Sequence, residues 1–187
     1  MAETEALEMD EVLEKITFYC LEQARAKLEA GEELVPFTVV VEGEQMFEET
    51  HPGDDVLDCR ANAQATVKSS STFSTHYAFC YDGFLVTDQG TLDTIIVECA
   101  QRDMEQAYVI GLLYKVASDG VVEFEEQPAY IDDIDTFYDR EAVEYAEAEE
   151  AAAADSEMTE AQRALQQALG FENAPEDGDG PAAPAAE

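Results

Sequence analysis

Thr75-His76-Tyr77-Ala78-Phe79-Cys80-Tyr81-Asp82-Gly83-Phe84-Leu85-Val86-Thr87, then Asp88-Gln89-Gly90, then Thr91-Leu92-Asp93-Thr94-Ile95-Ile96-Val97-Glu98-Cys99-Ala100-Gln101, is the stretch whose reading decides the fold. It reads as two β-strands joined by a short turn. Glycine at the end of a three-residue connection suits a residue with φ > 0, which glycine adopts without steric cost. With 88–90 as the loop, Thr87 faces Thr91, Gly83 faces Ile95, Tyr81 faces Val97 and Phe79 faces Cys99. Opposed residues share a face, so Tyr77, Phe79, Tyr81, Leu85, Ile95, Val97 and Cys99 are expected to form one apolar surface. A slip of one residue would mix them with His76, Asp82 and Glu98.

The pattern extends outward as a meander of four strands. Residues 106–117 form the third, where Tyr108, Ile110, Leu112 and Tyr114 continue the same surface. Their neighbours Ala107, Val109, Gly111 and Leu113 are also apolar, which marks a central strand covered on both sides. Ser118-Asp119-Gly120 turns into a last strand at 121–126, whose Glu123, Glu125 and Glu126 suit an exposed edge.

A sheet of this kind needs a helix on one face, and the chain's start supplies it. Met9, Leu13, Ile16, Cys20, Ala24 and Leu28 recur at spacings of three and four within residues 5–30, with Gly31 placed to cap the end. Leu34 to Val41 is a β-branched strand whose Pro36 suits its beginning, and a weaker strand follows around 44–48. Asp54 or Asp55 caps a second helix running to about Ser69, with the small apolar positions Val56, Leu57, Ala61, Ala63 and Val67. Ser69-Ser70-Ser71-Thr72 reads as a linker, and 128–138 as irregular chain folding back through Tyr130, Ile131, Ile134 and Phe137. The fold class is therefore α+β, a long N-terminal helix on a mainly antiparallel sheet of about five to six strands.

Beyond Tyr138 the composition changes. Residues 1–138 read as the α+β domain, 139–170 as an acidic Ala/Glu-rich helical segment, and 171–187 as a disordered tail rich in Pro, Ala, Gly and acid. Within the segment Met158, Ala161, Leu165 and Leu169 form a short amphipathic stripe, a candidate docking helix; a solubilising tail is the alternative.

Charge narrows the function classes. The 187 residues carry 44 acidic against 9 basic side chains, a net charge of −35. That disfavours attraction to phosphate backbones or anionic lipid, so neither nucleic acid nor membrane is an expected partner. No apolar run approaches the ~20 residues of a spanning helix, and the acidic N-terminus is unlike a basic signal sequence. A cytoplasmic protein is expected. Cys20, Cys59, Cys80 and Cys99 show no Cys-x-x-Cys pair and read as small buried hydrophobes. In the register above, Cys80 and Cys99 point to opposite faces.

Candidate chemistry is thin. His51 and His76 have no ligand at a metal-fixing spacing, although strand position puts His76, Cys80 and Asp82 on one side. Asp132, Asp133, Asp135 and Asp139 crowd one segment, but a calcium loop needs glycine at its sixth position, where Tyr138 stands. Glycine-rich phosphate loops and nucleophile elbows are absent from the sequence. No catalytic, cofactor-binding or metal-ligating residue and no cofactor is assigned.

The amphipathic helix leading into Glu32-Glu33-Leu34-Val35-Pro36-Phe37, then Tyr81-Asp82-Gly83, Asp93-Thr94-Ile95-Ile96-Val97-Glu98 and Leu113-Tyr114 carry a resemblance. Over about residues 10–116 the chain resembles a widespread family of small uncharacterised bacterial α+β proteins. The resemblance implies a helix on an antiparallel sheet and carries no activity with it. The expected function is a non-enzymatic protein-interaction domain, adaptor or regulatory, whose unknown partner has a basic or apolar surface. The alternative is a small-molecule-binding or catalytic domain with a pocket between the first helix and the sheet, lined by Tyr77, Tyr81, Tyr108 and Tyr114.

Overall fold

The first helix starts where its backbone donors find an acceptor: the Asp10 carboxylate takes a hydrogen bond from the Leu13 N–H at 2.7 Å. A computed structural model describes residue 7 and residues 9–88 and 90–168. In it α1 (Glu11–Glu29) buries Leu13, Ile16, Thr17, Cys20, Leu21 and Ala24 along one stripe. Gly31, at φ 70°, reverses the chain so that the Glu32 N–H reaches the Lys27 carbonyl at 2.9 Å. The hairpin β1 (Phe37–Glu42) and β2 (Gln45–Thr50) follows, then α2 (Val56–Ser69) capped by Asp55. The long strands β3 (His76–Thr87), β4 (Gly90–Gln101) and β5 (Gln106–Val116) form the centre, with β6 (Val122–Phe124), β7 (Ala129–Asp135) and α3 (Arg140–Ala168) after them. The sheet is antiparallel throughout, in the order β2-β1-β3-β4-β5-β6, with β7 also on β5. The α+β architecture expected from the sequence is the one observed.

The register of the central hairpin differs from expectation by one residue. Thr87 pairs with Gly90, so Tyr81 faces Ile96, Phe79 faces Glu98 and Tyr77 faces Ala100. The floor under α1 is therefore Ala78 and Cys80 of β3 with Ile95, Val97 and Cys99 of β4 and Ile110, Leu112 and Tyr114 of β5. Tyr77, Phe79 and Tyr81 turn to the opposite face, and Phe79 does not share a side with Val97 and Ile110. Both parities of these strands are apolar, so alternation alone left the slip undecided. The polar residues used to choose a register are each matched by a partner. His76 meets Asp10 at 2.8 Å, Asp82 accepts from the Tyr114 hydroxyl at 2.7 Å, and Glu98 is held by Arg60 and Tyr81. The same shift puts Cys80 and Cys99 in one core, on the α1 side, as free thiols.

The second face has its own core, built from Ala63 and Val67 of α2, Tyr77 and Phe79, Ala100 and Ala107, and Phe137, Tyr138 and Val143. Tyr77 stacks on Phe137 at 5.1 Å and meets Tyr138 edge-on at 5.2 Å. The α2 stripe is Cys59, Ala63 and Val67, whereas Val56 and Leu57 face solvent. The serines after α2 do not act as a loose linker. Ser71 Oγ accepts from the Asp139 N–H at 2.9 Å, and Ser74 bonds the Tyr138 hydroxyl at 3.2 Å.

Residues 128–138 are likewise more regular than their sequence suggests, because Ala129–Asp135 pairs with β5 as β7. The ladder shifts between Val109 and Ile110, whose partners are Asp132 and Tyr130, leaving Ile131 as the extra residue. A Cβ on Gly111 would run into the Ile131 side chain and lie 3.0 Å from that of Thr94, so a larger residue there requires Ile131 to shift.

The compact unit ends at Ala146, two helical turns past the sequence boundary at Tyr138, because Val143 and Ala146 are buried in it. Residues 147–187 are a separate unit. Of these, the helical residues as far as Ala168 are described, and their described side chains are exposed.

Candidate functional site

The four tyrosines expected in one pocket are divided between two faces. Tyr108 and Tyr114 lie on the α1 side of the sheet and Tyr77 and Tyr81 on the α2 side. Each is engaged: Tyr77 Oη accepts from the Phe137 N–H at 3.0 Å, Tyr81 donates to Glu98 at 2.9 Å, Tyr114 donates to Asp82 and Tyr108 packs edge-on against Tyr130. A cavity does lie between α1 and the sheet, of about 220 Å³, but its walls are Leu7, Met9, Phe18, Leu21, Ile110 and Tyr130, with Glu14 at its rim. None of the four expected tyrosines, Tyr77, Tyr81, Tyr108 and Tyr114, lines it.

The strongest polar constellation is on the other face and was missed in the sequence. Glu98 sits mid-strand, 3% exposed, between Phe79 and Val109. Arg60 Nε reaches both of its oxygens at 3.1 Å, Nη2 lies 3.0 Å from Oε2, and the Tyr81 hydroxyl donates to Oε1. The guanidinium also covers the Phe137 ring at 4.8 Å. Burial works against the Arg60 charge, but the hydrogen bonds and charge of Glu98 outweigh it and hold the group above its ordinary value. Burial first, then the neighbouring carboxylate, pushes the Tyr81 hydroxyl up, so it remains a neutral donor. Carboxylate, guanidinium and phenol satisfy one another, which makes the trio a clamp between α2 and the sheet. Two signals pointed to it: a lone glutamate inside the apolar run Ile95–Ala100, and the scarcity of basic residues.

The histidines also tie elements together. His76 bridges the Asp10 cap of α1 and the Thr75 hydroxyl, each at 2.8 Å. Burial of Asp10 opposes its charge, yet the Leu13 N–H and His76 together keep the carboxyl below its usual value. His51 is buried, its Nε2 2.8 Å from the Thr38 hydroxyl and its ring edge-on to Phe79, and burial lowers its pKa. The thiols of Cys20, Cys80 and Cys99 are pushed up by burial, Cys99 to about 11, which removes their nucleophilic form. Among the described residues no group of three His, Cys, Asp or Glu side chains could hold a metal ion. Asp132, Asp133 and Asp135 lie along β7, exposed to solvent.

What remains open is a surface groove of about 360 Å³ between the β1–β2 hairpin and the end of α2. Val40 and Thr38 form its floor, Phe47 and Phe73 flank it half exposed, and Glu42 and Glu49 line it. Thr66 donates to Glu49 across it at 3.2 Å. It joins aromatic surface to carboxylates and contains no basic side chain.

In the second unit Met158 and Leu165 are about 60% exposed and Ala161 is exposed beside them. Leu169, the last member of that stripe, and residues 171–187 lie outside the described residues. No helix among the described residues is long and apolar enough to cross a membrane. No family model matches this chain, and neither a curated protein nor a solved structure does.

Proposed function

We propose that this protein is a cytoplasmic, non-enzymatic interaction module that docks a basic segment of a partner protein on its acidic surface. One observation carries the reading: the groove between the β1–β2 hairpin and α2 sets two half-exposed phenylalanines among glutamates, with no cation in its lining. An apolar contact ringed by carboxylates suits a segment that mixes Lys or Arg with apolar side chains. A net charge of −35 adds long-range attraction for such a partner and repels acidic ones. The acidic arm beyond Ala146 strengthens that field. Membership of the small bacterial α+β family belongs to this proposal, on the entry into Pro36-Phe37 and the strand Asp93–Glu98.

The test is calorimetric titration with a capped peptide alternating lysine and valine. Binding is expected to weaken as salt rises toward the ~0.15 M at which the screening length is about 8 Å. Glu42→Gln with Glu49→Gln should weaken it further, and a chain ending after Ala146 should retain it in part. Equal binding of a peptide alternating serine and valine, or no binding of the lysine peptide, sinks the proposal. A second reading, an apolar small ligand, is favoured only by the α1 cavity, whose 220 Å³ falls below the ~300–1,000 Å³ of ordinary ligand sites.

A further inference from the structure

We infer that the basic segment is held as an added β-strand on the open edge of β2. This rests on the docking reading above and specifies how the partner is bound. The argument starts from the backbone. The His51 N–H donates to the Pro36 carbonyl at 2.7 Å, which fixes the phase of the hairpin ladder. Counting along the register, Thr38↔Glu49, Val40↔Phe47 and Glu42↔Gln45 are the hydrogen-bonded pairs. Met46, Glu48 and Thr50 therefore turn their N–H and C=O groups away from β1. Among the described residues β2 is the end of the strand order, and all six of its residues are exposed.

Native sheets blunt such an edge with proline, a bulge, a covering segment or charge. β2 contains no proline, and its pairing with β1 runs without a register shift. Charge is what guards it: Glu48 and Glu49 lie in the strand and Glu44 at the hairpin tip. Charge is a selective guard. Two copies of this edge side by side would oppose carboxylate to carboxylate, whereas a Lys- or Arg-bearing strand converts the same groups into attraction. Met46 on the α1 side and Phe47 on the α2 side, each about half exposed, give the incoming strand an apolar neighbour on both faces. The occupant is thus an extended basic and apolar segment of another protein, and a second copy of this chain is disfavoured.

Amide hydrogen exchange, read by NMR with and without the lysine–valine peptide, tests the geometry. Saturation should slow exchange at Met46, Glu48 and Thr50 by tenfold or more, while Gln45, Phe47 and Glu49, already bonded to β1, change little. Glu48→Pro removes one outward N–H, and Glu48→Gln removes the same charge while keeping it. The proline variant should bind about threefold to tenfold more weakly than the glutamine variant, the worth of one hydrogen bond. Far-UV circular dichroism and the melting temperature show whether each variant keeps the fold, and the exchange experiment on the unaltered chain stands without them. Peptide binding with unchanged exchange at the three even-numbered amides refutes strand addition and leaves the docking reading intact. No binding refutes both. Equal protection by the serine–valine peptide refutes the selectivity assigned to the glutamates.

Discussion

Replacing Arg60 with alanine is the sharpest test of how the second core is held. The change leaves Glu98, its side chain 5% exposed, with one neutral donor in Tyr81. Removing one partner of a buried ion pair costs about 3–5 kcal/mol. Arg60 is itself 34% exposed, so water entering the vacated volume solvates the carboxylate in part, which places the cost near the lower end, about 3 kcal/mol. Loss of the guanidinium over Phe137 adds roughly 0.5 kcal/mol. For a unit of this size the sum corresponds to a fall in melting temperature of roughly 7–14 °C.

A double-mutant cycle separates this account from simple loss of packing. Adding Glu98→Gln should recover about 1–2 kcal/mol, because an uncharged amide is less costly to bury alone. Urea unfolding followed by far-UV circular dichroism is the assay, since the chain has no tryptophan. A deficit of Arg60→Ala that is additive with that of Glu98→Gln to within ~0.5 kcal/mol refutes the clamp.

Three further outcomes are expected. Gly111→Ala should destabilise by about 1–3 kcal/mol, since its Cβ would run into the Ile131 side chain, and Ile131→Ala should return part of that loss in urea unfolding. Asp10→Ala should cost about 0.5–2 kcal/mol as a lost N-cap. The folded pKa of Asp10 is depressed, so its contribution is present above the unfolded value near 3.9 and lost as pH falls through the folded one; the difference from wild type should vanish in acid. All four cysteines are buried and free, and a thiol reagent should label them only at the rate of opening, with full labelling in denaturant. Fast labelling of the native protein would contradict the packing of Cys20, Cys80 and Cys99 in the core between α1 and the sheet.

The first helix, the first two strands and the meander from β3 to β6 were legible because each signal is local. The stripe from Leu13 to Ala24 has one period, and the apolar runs of β3, β4 and β5 end at turn residues. Which face each strand shows was not legible. Tyr77-Ala78-Phe79-Cys80-Tyr81 is apolar at both parities, and a turn of two residues rather than three reverses every assignment. The polar residues misled in an instructive way. A register that mixes His76, Asp82 and Glu98 with apolar neighbours looks unfavourable in the sequence, but each is inside or half inside, matched by groups from the start of α1, from β5 and from α2 that sit far away in sequence. β7 escaped for a related reason. Its alternation of Ile131 and Ile134 with aspartates is broken by the bulge, so the period of two cannot be read directly.

Charge and architecture are connected through the few basic residues. Arg60 holds Glu98, Lys68 lies 3.3 Å from Asp139, and Arg140 donates to the carbonyls of Arg102 and Met104 at 3.4 and 3.2 Å. All three contacts fasten α2 or the chain entering α3 around the second core, the face whose cover arrives last in the sequence. Carboxylates stand exposed at the edge of β2, along β7 and on α3. A chain with 9 cations that commits several of them to its own closure keeps few with which to neutralise its surface. Its outward field is then acidic, attracting positively charged groups and repelling acidic ones.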